Sequence, residues 1–363
     1  MAEVVPQGAE RALTPHLTEV LQFALEHGAS DVHLALGVAP VVRIDGALRS
    51  VPGKAAYDLQ AIAADVLSSL TASQQTELST SRELDFSFPF STIRLRANVF
   101  YERGQLGAAY RLIPAEIRSA EQIGLPAIAT QFLERRQGLL IIAGPTGHGK
   151  STTLAALVDH INVNRSEHIV TIEDPIEYVF QHKKSVVVQR EVESDTRSFA
   201  AALRSAVRQD PNVLLIGEMR DQETMDAALT LAETGHLILT TLHTSSAAQT
   251  ADRIIDSFPP HQQQQIRAQL AATLIGIVSQ RLIPRVNGGR VLAAEVLVAN
   301  TAVRTSIREG KTHQIDNLIQ TGASEGMVGL DTVLGHFVSQ GEITIDDALV
   351  WANDPNQLKT VVY

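Results

Sequence analysis

The chain carries Gly144-Pro-Thr-Gly-His-Gly-Lys150-Ser151 directly after an apolar run, Leu139 to Ala143. A strand, a glycine-rich turn and a helix in this order are what a phosphate-binding loop requires, so the stretch predicts that the chain binds a nucleoside triphosphate. The alternative is a chance glycine-rich turn. It is disfavoured because apolar residues recur with helical spacing from Leu154 to Ile161, as expected of a helix that packs against a sheet.

Each residue of this loop has an expected part in holding a triphosphate. The glycines allow backbone N–H groups to point at the phosphates, and the N-terminus of the next helix adds a positive dipole. Lys150 is placed to bridge the phosphates, and Ser151 is expected to put its hydroxyl on Mg²⁺. The sequence leaves open whether the imidazole of His148 points outward or toward the nucleotide. The predicted nucleotide-binding residues are Gly144, Pro145, Thr146, Gly147, His148, Gly149, Lys150, Ser151 and Thr152.

The composition narrows the class of protein. A chain of 363 residues, 44% of them hydrophobic, exceeds the usual size of one core, so we expect two domains. Cysteine is absent, which excludes disulfides and thiolate zinc sites. The formal net charge of -10 argues against tight non-specific binding of nucleic acid. No apolar run approaches the length needed to cross a bilayer, and we expect a soluble, cytoplasmic protein.

The pattern of predicted elements changes around Ile113-Pro114, from short strands and turns to apolar strands that alternate with helices. We place the domain boundary there. Residues 14–112 read as an α+β module of short strands and turns with one helix, Asp58 to Leu70. Residues 1–13 form an N-terminal extension and residues 113–120 a linker. Two hairpins are predicted, Val41–Ile44 with Ala47–Val51 across Asp45-Gly46, and Ile93–Tyr101 with Leu106–Leu112 across Arg103-Gly104-Gln105.

Residues 121–363 read as an α/β domain with a parallel sheet covered on both faces. Phe199, Leu203 and Val207 form one helical stripe, and a helix from Thr224 to Thr234 is expected to end at Gly235. Beyond Ala299 the chain looks helical, with breaks at three glycines, Gly322, Gly326 and Gly341. The predicted strands are Leu139–Ala143, Ile169–Glu173, Val213–Ile216 and Leu237–Leu242.

An acidic segment follows the second of these strands. Three carboxylates lie in Ile172-Glu-Asp-Pro-Ile-Glu177, at the carboxyl end of the strand. Ligands of an open α/β sheet bind at this edge, so Glu177 is our candidate for the general base that activates water, with Glu173 and Asp174 as alternatives. The plainer interpretation is a loop of solvated acids.

The third strand leads into Gly217-Glu218, and glycine stands where such a strand usually presents a metal-binding aspartate. Glu218 is then the carboxylate at the strand tip. We assign it to Mg²⁺ through water, because Mg²⁺ keeps much of its hydration shell. Arg220 and Asp221, just beyond it, are interpreted as a surface ion pair that contributes little.

The fourth strand ends at His243, at the same edge of the sheet. His243 is a candidate to contact the γ-phosphate and to report its loss. A single histidine at a strand end is more often structural, but its position beside the other motifs favours a functional role.

Arginines of the first domain complete the predicted site. Alternation in Ile93-Arg-Leu-Arg-Ala-Asn-Val99 puts Arg94 and Arg96 on one face of a strand, and Arg111 lies near the end of the next strand. Such residues can act as arginine fingers, which stabilise the charge of a phosphoryl-transfer transition state. The alternative is a set of charges on the wet face of a sheet.

Together and in this order, the motifs resemble those of the secretion-superfamily ATPases of type II secretion and type IV pili, over nearly the full chain. The start of the chain is similar to that family's PAS-like N-terminal domain in Gly28-Ala-Ser-Asp-Val-His33 and Val42-Arg-Ile-Asp-Gly46. The rest is similar to its RecA-like domain in Asp210-Pro-Asn-Val213, Gly217-Glu-Met-Arg-Asp221, Glu233-Thr-Gly-His236 and Thr241-Leu-His-Thr244.

Within the superfamily, the chain looks most like the PilT-type retraction ATPases of type IV pili. These enzymes carry a helical motif, AIRNLIRE, to which Ala302-Val-Arg-Thr-Ser-Ile-Arg-Glu-Gly-Lys311 is similar. Three positions depart from it, Val303, Thr305 and Ser306. The resemblance implies that the retained anchors couple hydrolysis to motion; they are Arg304, Ile307, Arg308 and Glu309. Assembly and secretion ATPases are usually longer at the N-terminus and often carry a four-cysteine zinc module, and this sequence has neither feature.

The resemblance also implies a homohexameric ring in which Arg96 and Arg111 approach the nucleotide, with Arg94 and Arg103 as substitutes. ATP and Mg²⁺ are the implied cofactors. The implied partners are an inner-membrane pilus platform protein and a second retraction ATPase, and no stable nucleic-acid partner is expected. The protein is expected in the cytoplasm, peripheral to the inner membrane through the pilus machine.

These observations predict an α/β, RecA-like phosphate-loop ATPase domain preceded by a PAS-like α+β domain, acting as a Mg²⁺-dependent motor that retracts type IV pili in twitching motility. The alternatives within the superfamily are an accessory retraction ATPase and a pilus-assembly or type II secretion ATPase. Two alternatives from other classes are a DNA-translocating RecA-like motor and a nucleotide-sensing regulator that does not hydrolyse ATP.

Overall fold

A computed structural model describes residues 11–44, 46–113 and 116–362 of the chain. The chain divides into two compact units, the first ending at Glu116 and the second beginning at Ile117. This break falls inside the segment predicted as a linker, and the proposed bounds of the two domains stay a prediction. Most of the predicted N-terminal extension, together with Asp45 and Pro114, lies outside the described residues.

The described residues of the first unit form three helices and one six-stranded sheet. The helices are α1 Pro15–Glu26, α2 Leu59–Ser68 and α3 Ala72–Ser81. The strands are β1 Asp31–Leu34, β2 Val41–Ile44, β3 Ala47–Ser50, β4 Glu83–Phe90, β5 Ile93–Glu102 and β6 Gln105–Ile113. They pair in the order β3-β2-β1-β6-β5-β4, and every pair of neighbours is antiparallel.

Our prediction of a single helix in this unit is wrong. Helix α1 begins after Thr14, whose side chain accepts a hydrogen bond from the backbone N–H of Leu17, and it buries four apolar residues at helical spacing, Leu17, Val20, Leu21 and Ala24. Helix α3 buries only Leu78 and has no clear apolar face, so it gives a weak periodic signal. Reciprocal hydrogen bonds between Thr71 and Gln74 form its N-terminal cap. The predicted helix from Asp58 is confirmed as α2.

Both predicted hairpins of the first unit are present. Ile44 pairs with Ala47, so two residues connect β2 and β3. Glu102 pairs with Gln105, so only Arg103 and Gly104 connect β5 and β6, one residue fewer than predicted. Both of these residues have positive φ, 53° and 78°, as the tight turn that matches strand twist requires.

The second unit contains a seven-stranded sheet. Its strands are β7 Gly138–Ala143, β8 His168–Glu173, β9 Val186–Glu191, β10 Val213–Ile216, β11 Leu237–Leu242, β12 Leu274–Pro284 and β13 Arg290–Val298. They pair in the order β13-β12-β7-β11-β10-β8-β9. All neighbours are parallel except β12 and β13. The predicted α/β class and its four strands are confirmed, whereas β9, β12 and β13 were not predicted.

Helices cover both faces of this sheet. They are α4 Ala127–Gln131, α5 Lys150–Asn164, α6 Phe199–Ala206, α7 Gln222–Glu233, α8 Ala247–Asp256, α9 Pro260–Thr273, α10 Thr301–Arg308, α11 Ile315–Thr321, α12 Leu330–Ser339, α13 Ile345–Trp351 and α14 Pro355–Val362. Short 3₁₀ turns span Phe132–Glu134, Val207–Gln209, Thr312–Gln314 and Ala323–Glu325. Helix α7 ends before Gly235 as predicted, and the three C-terminal glycines follow or separate helices. The apolar stripe predicted for Phe199, Leu203 and Val207 does not extend to Val207. That residue lies in a 3₁₀ turn after α6 and is half exposed.

Strand β7 shows how the sheet is buried on both faces. All six of its residues are buried. Leu139 and Ile141 pack in a core with residues of α6 to α9, while Leu140 and Ile142 pack in a second core with residues of α5. Because β7, β11, β10 and β8 are parallel neighbours, their carboxyl ends lie at one edge of the sheet.

Candidate active site

The glycines of the predicted phosphate loop adopt the backbone conformations that the motif requires. Gly144, Gly147 and Gly149 have φ angles of 146°, 80° and 81°. A Cβ on Gly144 would lie 2.5 Å from the carbonyl oxygen of Gln280, so the loop packs tightly on β12 there. A Cβ on Gly147 would meet no atom within 4 Å. The loop is therefore anchored at one end and open at its middle, as a phosphate cradle must be.

The ammonium group of Lys150 lies inside this loop. Its Nζ donates hydrogen bonds to the carbonyl oxygens of Gly144, at 2.9 Å, and Pro145, at 3.0 Å. Burial lowers the pKa of Lys150 to about 8, and the nearby Glu177 carboxylate opposes this shift. A phosphate group would restore the charged form, so this buried cation fits a polyanionic ligand.

The first turn of α5 offers hydroxyl groups beside the loop. Thr152 Oγ1 lies 3.0 Å from the hydroxyl of Tyr178, and Thr153 Oγ1 donates to Gln280 Oε1 at 2.8 Å. The half-buried Ser151 makes no side-chain hydrogen bond to any of the described residues. Its hydroxyl therefore remains available, which fits the predicted role as a ligand of Mg²⁺.

His148 turns toward β12 and α13. Its Nδ1 accepts a hydrogen bond from the backbone N–H of Leu282 at 2.9 Å, and its ring lies 4.8 Å from that of Trp351, centroid to centroid. Burial lowers the pKa of His148, and the positive charges of Arg281, Arg290 and Lys150 lower it further. Because Nδ1 accepts a hydrogen bond, the imidazole is neutral with its proton on Nε2.

His243 connects the loop after β7 to the loop after β10. Its Nε2 lies 3.1 Å from Glu218 Oε2, and its Nδ1 lies 3.2 Å from Thr146 Oγ1 and 3.4 Å from Lys150 Nζ. Burial lowers the pKa of His243, as do the charges of Lys150 and Arg220. The structure thus brings together four of the predicted site residues at one edge of the sheet.

Glu218 is held from two sides. Arg220 forms an ion pair with Glu218 Oε1, while His243 contacts Oε2. The predicted ion pair between Arg220 and Asp221 is wrong, because Asp221 instead caps helix α7. Its carboxylate accepts hydrogen bonds from the backbone N–H of Thr224 at 2.8 Å and from the Thr224 hydroxyl at 2.9 Å.

The structure distinguishes the three acidic residues that follow β8. Glu173 accepts hydrogen bonds from Thr171 Oγ1 at 2.6 Å and Gln189 Nε2 at 3.2 Å, and burial raises its pKa to about 7. Asp174 is exposed. Glu177 is half-buried and lies close enough to Lys150 to raise the pKa of that lysine. Of the three, Glu177 is therefore the best candidate for a general base beside the phosphate loop.

Three of the candidate arginines of the first unit, Arg94, Arg96 and Arg111, share one face of its sheet. Leu95 and Ala97 are buried, so Arg94 and Arg96 project from the opposite face of β5. Arg96 lies directly across from Arg111 on β6. Arg94 donates to Ser87 Oγ, and Arg111 donates to Asp31 Oδ1 at 2.9 Å. Arg103 occupies the tip of the β5–β6 hairpin, where its side chain is 91% exposed. The predicted approach of these arginines to a nucleotide stays a prediction.

The predicted coupling motif lies on α10. Arg304 donates hydrogen bonds to the carbonyl oxygens of Ala299, Ala272 and Leu274 at 2.7–2.8 Å, and also to that of Ala271. It therefore joins the end of α9 to the start of β12. Ile307 is fully buried, whereas Arg308 and Glu309 are exposed. The motif thus has an internal half and a surface half.

Sequence reasoning missed Gln280 and Arg281, two buried polar residues on β12. Gln280 contacts the phosphate loop. Arg281 Nη2 donates to the carbonyl oxygen of Ser245, at 2.6 Å, in the loop after His243. The signal was available, because a polar pair interrupts the apolar run from Leu274 to Ile283. These two residues could be placed beside the phosphate loop only once the strand order was known, because β12 pairs with β7.

The model of the type II/IV secretion system protein family matches residues 7–289. The chain belongs to this family. The type IV pilus retraction ATPase PilT of Pseudomonas aeruginosa is 43% identical over 342 residues, which cover 93% of this chain and 98% of that protein. The type IV pilus ATPase PilU of the same species is 38% identical over 95% of this chain and 90% of its own length.

A solved structure of a secretion-family member has the same architecture. The crystal structure of the pilus retraction motor PilT with bound ADP has a TM-score of 0.88 and 46% identity, covering 94% of this chain and 98% of that chain. The predicted place of this chain among the PilT-type ATPases of the secretion family is confirmed, as are its ATPase class and its fold. None of the helices in the described part of the chain is long and apolar enough to cross a membrane.

Proposed function

We propose that this protein is a Mg²⁺-dependent ATPase whose hexameric ring retracts type IV pili. The observation that carries the proposal is the near-full-length similarity to PilT, joined to a site in which the phosphate loop and the Glu218 carboxylate meet at His243. A phosphate loop alone serves many enzymes, whereas this arrangement adds a carboxylate that we assign to the metal and a histidine that we assign to sensing the terminal phosphate.

The roles in hydrolysis follow from the positions of the side chains. The residues Gly144 to Thr152 hold the triphosphate, with Lys150 neutralising its charge. Ser151 and Glu218 would hold Mg²⁺, which when bound neutralises charge on the phosphate oxygens. Glu177 orients and deprotonates the attacking water. His243 contacts the phosphate loop through Lys150 and Thr146, and it is proposed to transmit loss of the terminal phosphate to Glu218, to which its Nε2–H donates.

The arginines of the first unit are proposed to act when the ring assembles. Arg96 and Arg111 lie side by side on neighbouring strands and present two positive charges from one face. This pair fits the need for a charge that stabilises the transition state. Arg94 and Arg103 remain the substitutes.

The mechanical output is proposed to pass through α10 and the pilus machine. The exposed Arg308 and Glu309 present charges at the end of α10, while Arg304 and Ile307 fix that helix to the core. The proposed partners are an inner-membrane platform protein and a second retraction ATPase. The proposed location is the cytoplasmic face of the inner membrane, without a nucleic-acid partner.

Purified protein tests the chemistry. It should hydrolyse ATP only with Mg²⁺, and Glu218→Gln should lower turnover while binding of ADP persists in isothermal titration calorimetry. Glu193→Gln is a matched control, since Glu193 is an exposed acid of the same unit. Protein that binds ADP but shows no turnover would instead support the nucleotide-sensing regulator, and turnover that requires DNA would support a translocase.

Mutation of the arginines tests the ring. Arg96→Ala should lower turnover by on the order of a thousandfold in assembled hexamers, checked by mass photometry. Arg49→Ala, an exposed arginine on β3, is the control. If Arg96→Ala matches wild type at saturating ATP, the finger role passes to Arg94 or Arg103.

Deletion of the gene separates the members of the superfamily. A retraction motor predicts excess surface pili and lost twitching, whereas an assembly or secretion ATPase predicts loss of pili. An accessory retraction ATPase predicts pili that still retract but under reduced force.

A further inference from the structure

Strand β12 places a buried amide beside the phosphate loop. The strand runs parallel to β7, with Ser279 opposite Ala143, so the next residue lies level with the start of the loop. That residue, Gln280, is fully buried. A buried amide costs free energy unless its hydrogen bonds are made, so its partners identify its role.

The side chain of Gln280 joins the end of the loop to the helix that follows. Its Nε2 donates to the carbonyl oxygen of His148 at 2.6 Å, and its Oε1 accepts from Thr153 Oγ1 at 2.8 Å. A carbonyl oxygen can only accept, so the –NH₂ group must face His148 and the amide oxygen must face Thr153. The His148 carbonyl thereby fixes the orientation of the amide, and the Thr153 hydroxyl, which is free to donate, satisfies the amide oxygen.

The backbone of the same strand contacts the loop at two further points. The Gln280 carbonyl oxygen lies 2.5 Å from the position that a Cβ on Gly144 would take, and the N–H of Leu282 donates to His148 Nδ1 at 2.9 Å. Strand β12 thus contacts both the first residue of the loop and its last turn.

We propose that Gln280 is a positioning residue that holds the phosphate loop in its nucleotide-binding shape. The inference rests on the proposed function, in which this loop binds ATP. Three glycines give the loop a high conformational entropy when it is unrestrained. Hydrogen bonds from a buried side chain restrict that freedom before the ligand arrives, which improves affinity by pre-organisation. Gln280 touches no reacting atom, so its effect falls on nucleotide binding rather than on the chemical step.

The most informative test is a pair of substitutions at Thr153. Thr153→Val removes the hydroxyl that donates to the buried amide oxygen of Gln280 and keeps the shape of the side chain, whereas Thr153→Ser keeps the hydroxyl. We expect Thr153→Val to raise the dissociation constant for Mg²⁺-ADP about fivefold, the equivalent of one hydrogen bond, while Thr153→Ser stays within about twofold of wild type. Isothermal titration calorimetry measures both.

Substitutions at Gln280 extend the test. Gln280→Met, which removes both hydrogen bonds, should raise the KM for ATP about tenfold and leave kcat within about twofold. Gln280→Glu retains the acceptor for Thr153 but sets a carboxylate against the His148 carbonyl, and it should weaken binding at least as much. If Gln280→Met fails to fold, the two Thr153 variants still decide the question.

A measurement on nucleotide-free protein is independent of turnover. Hydrogen–deuterium exchange of the peptide covering residues 144–152 should be faster in Thr153→Val than in Thr153→Ser. Ser185→Ala is the matched control, because Ser185 is buried and makes two hydrogen bonds, to Glu167 and Arg165, that do not involve the phosphate loop. It should leave both exchange and affinity at wild-type values.

The two proposals fail in different ways. Equal affinity and equal loop exchange for Thr153→Val and Thr153→Ser would overturn the positioning role, and so would a loss of kcat with KM unchanged in Gln280→Met. Wild-type protein that bound no ADP would instead overturn the proposed function.

Discussion

The imidazole Nε2 of His243 lies 3.1 Å from Oε2 of Glu218. The other ring nitrogen lies 3.2 Å from Thr146 Oγ1 in the phosphate loop, so one side chain spans two loops that are far apart in sequence. We therefore expect a change at the phosphate to alter the position of Glu218, the carboxylate proposed to hold the metal.

This relationship predicts the effect of His243→Ala. Turnover should fall about a hundredfold, because the link between the phosphate loop and Glu218 is lost, while the affinity for ADP changes by less than about threefold. Steady-state kinetics and calorimetry measure the two quantities. His160→Ala, an exposed histidine on α5, serves as the control. A fall in affinity as large as the fall in turnover would show that His243 only shapes the loop.

Glu177→Gln should abolish hydrolysis and spare binding. Glutamine keeps the size of the side chain but cannot take a proton from water, so turnover should drop by about 10²-fold or more. A single-turnover assay with bound ATP checks this directly. Unchanged turnover would remove Glu177 from the mechanism and return attention to Glu173.

Binding of ADP at pH 8 should take up protons. The pKa of Lys150 in the free protein is about 8, so about half of the side chains are unprotonated at that pH. Phosphate charges favour the protonated form and raise this pKa, which draws in about half a proton per site. Calorimetry in buffers of different ionisation enthalpy measures the uptake. At pH 6.5 the contribution of Lys150 should vanish, since it is already protonated, and absence of uptake at pH 8 would contradict the expectation.

Trp351 should report on the phosphate loop. It is the single tryptophan of the chain, and its ring lies 4.8 Å from that of His148. The charge of bound Mg²⁺-ADP changes the electrostatic surroundings of the His148 ring and of this contact, so the tryptophan emission should change with saturation at one site. His148→Ser should remove most of the change while calorimetry still detects binding. An unaltered signal in this variant would mean that the emission follows another contact.

Arg304 is predicted to stabilise the second unit. Its guanidinium group holds four carbonyl oxygens at the junction of α9, β12 and α10. Arg304→Ala should therefore lower the free energy of unfolding by about 2–4 kcal/mol, because buried acceptors lose a charged donor. Arg308→Ala, at an exposed position, should change it by less than about 0.5 kcal/mol. Denaturant titration compares them, and similar losses would contradict this division of the motif.

The sequence determined the parts of the site that lie within single segments. The glycine spacing before Lys150, the carboxylates at the end of β8 and the histidine that follows β11 are each encoded by neighbouring residues. Because parallel strands bring their carboxyl ends to one edge, the four predicted strands also implied that these segments meet. The resemblance of the motifs was sufficient to indicate the family.

Other features depended on contacts between distant segments. Helix α3 was missed because a polar helix gives little periodicity. Strands β12 and β13 were missed because their places depend on pairing between distant segments: β12 pairs with β7, and β13 pairs with β12. No local pattern distinguishes Glu177 from Glu173; burial and hydrogen bonds to Thr171 and Gln189 do.

The sequence by itself thus determined which chemical groups the protein brings to a nucleotide, since those groups are set by short motifs with fixed backbone demands. Only the tertiary structure decided how they are held: His148 faces Trp351, and Gln280 supports the loop from a strand more than a hundred residues away in sequence. The physical reason is that a buried polar group must find its partners in space, and those partners are set by the strand order rather than by their spacing along the chain.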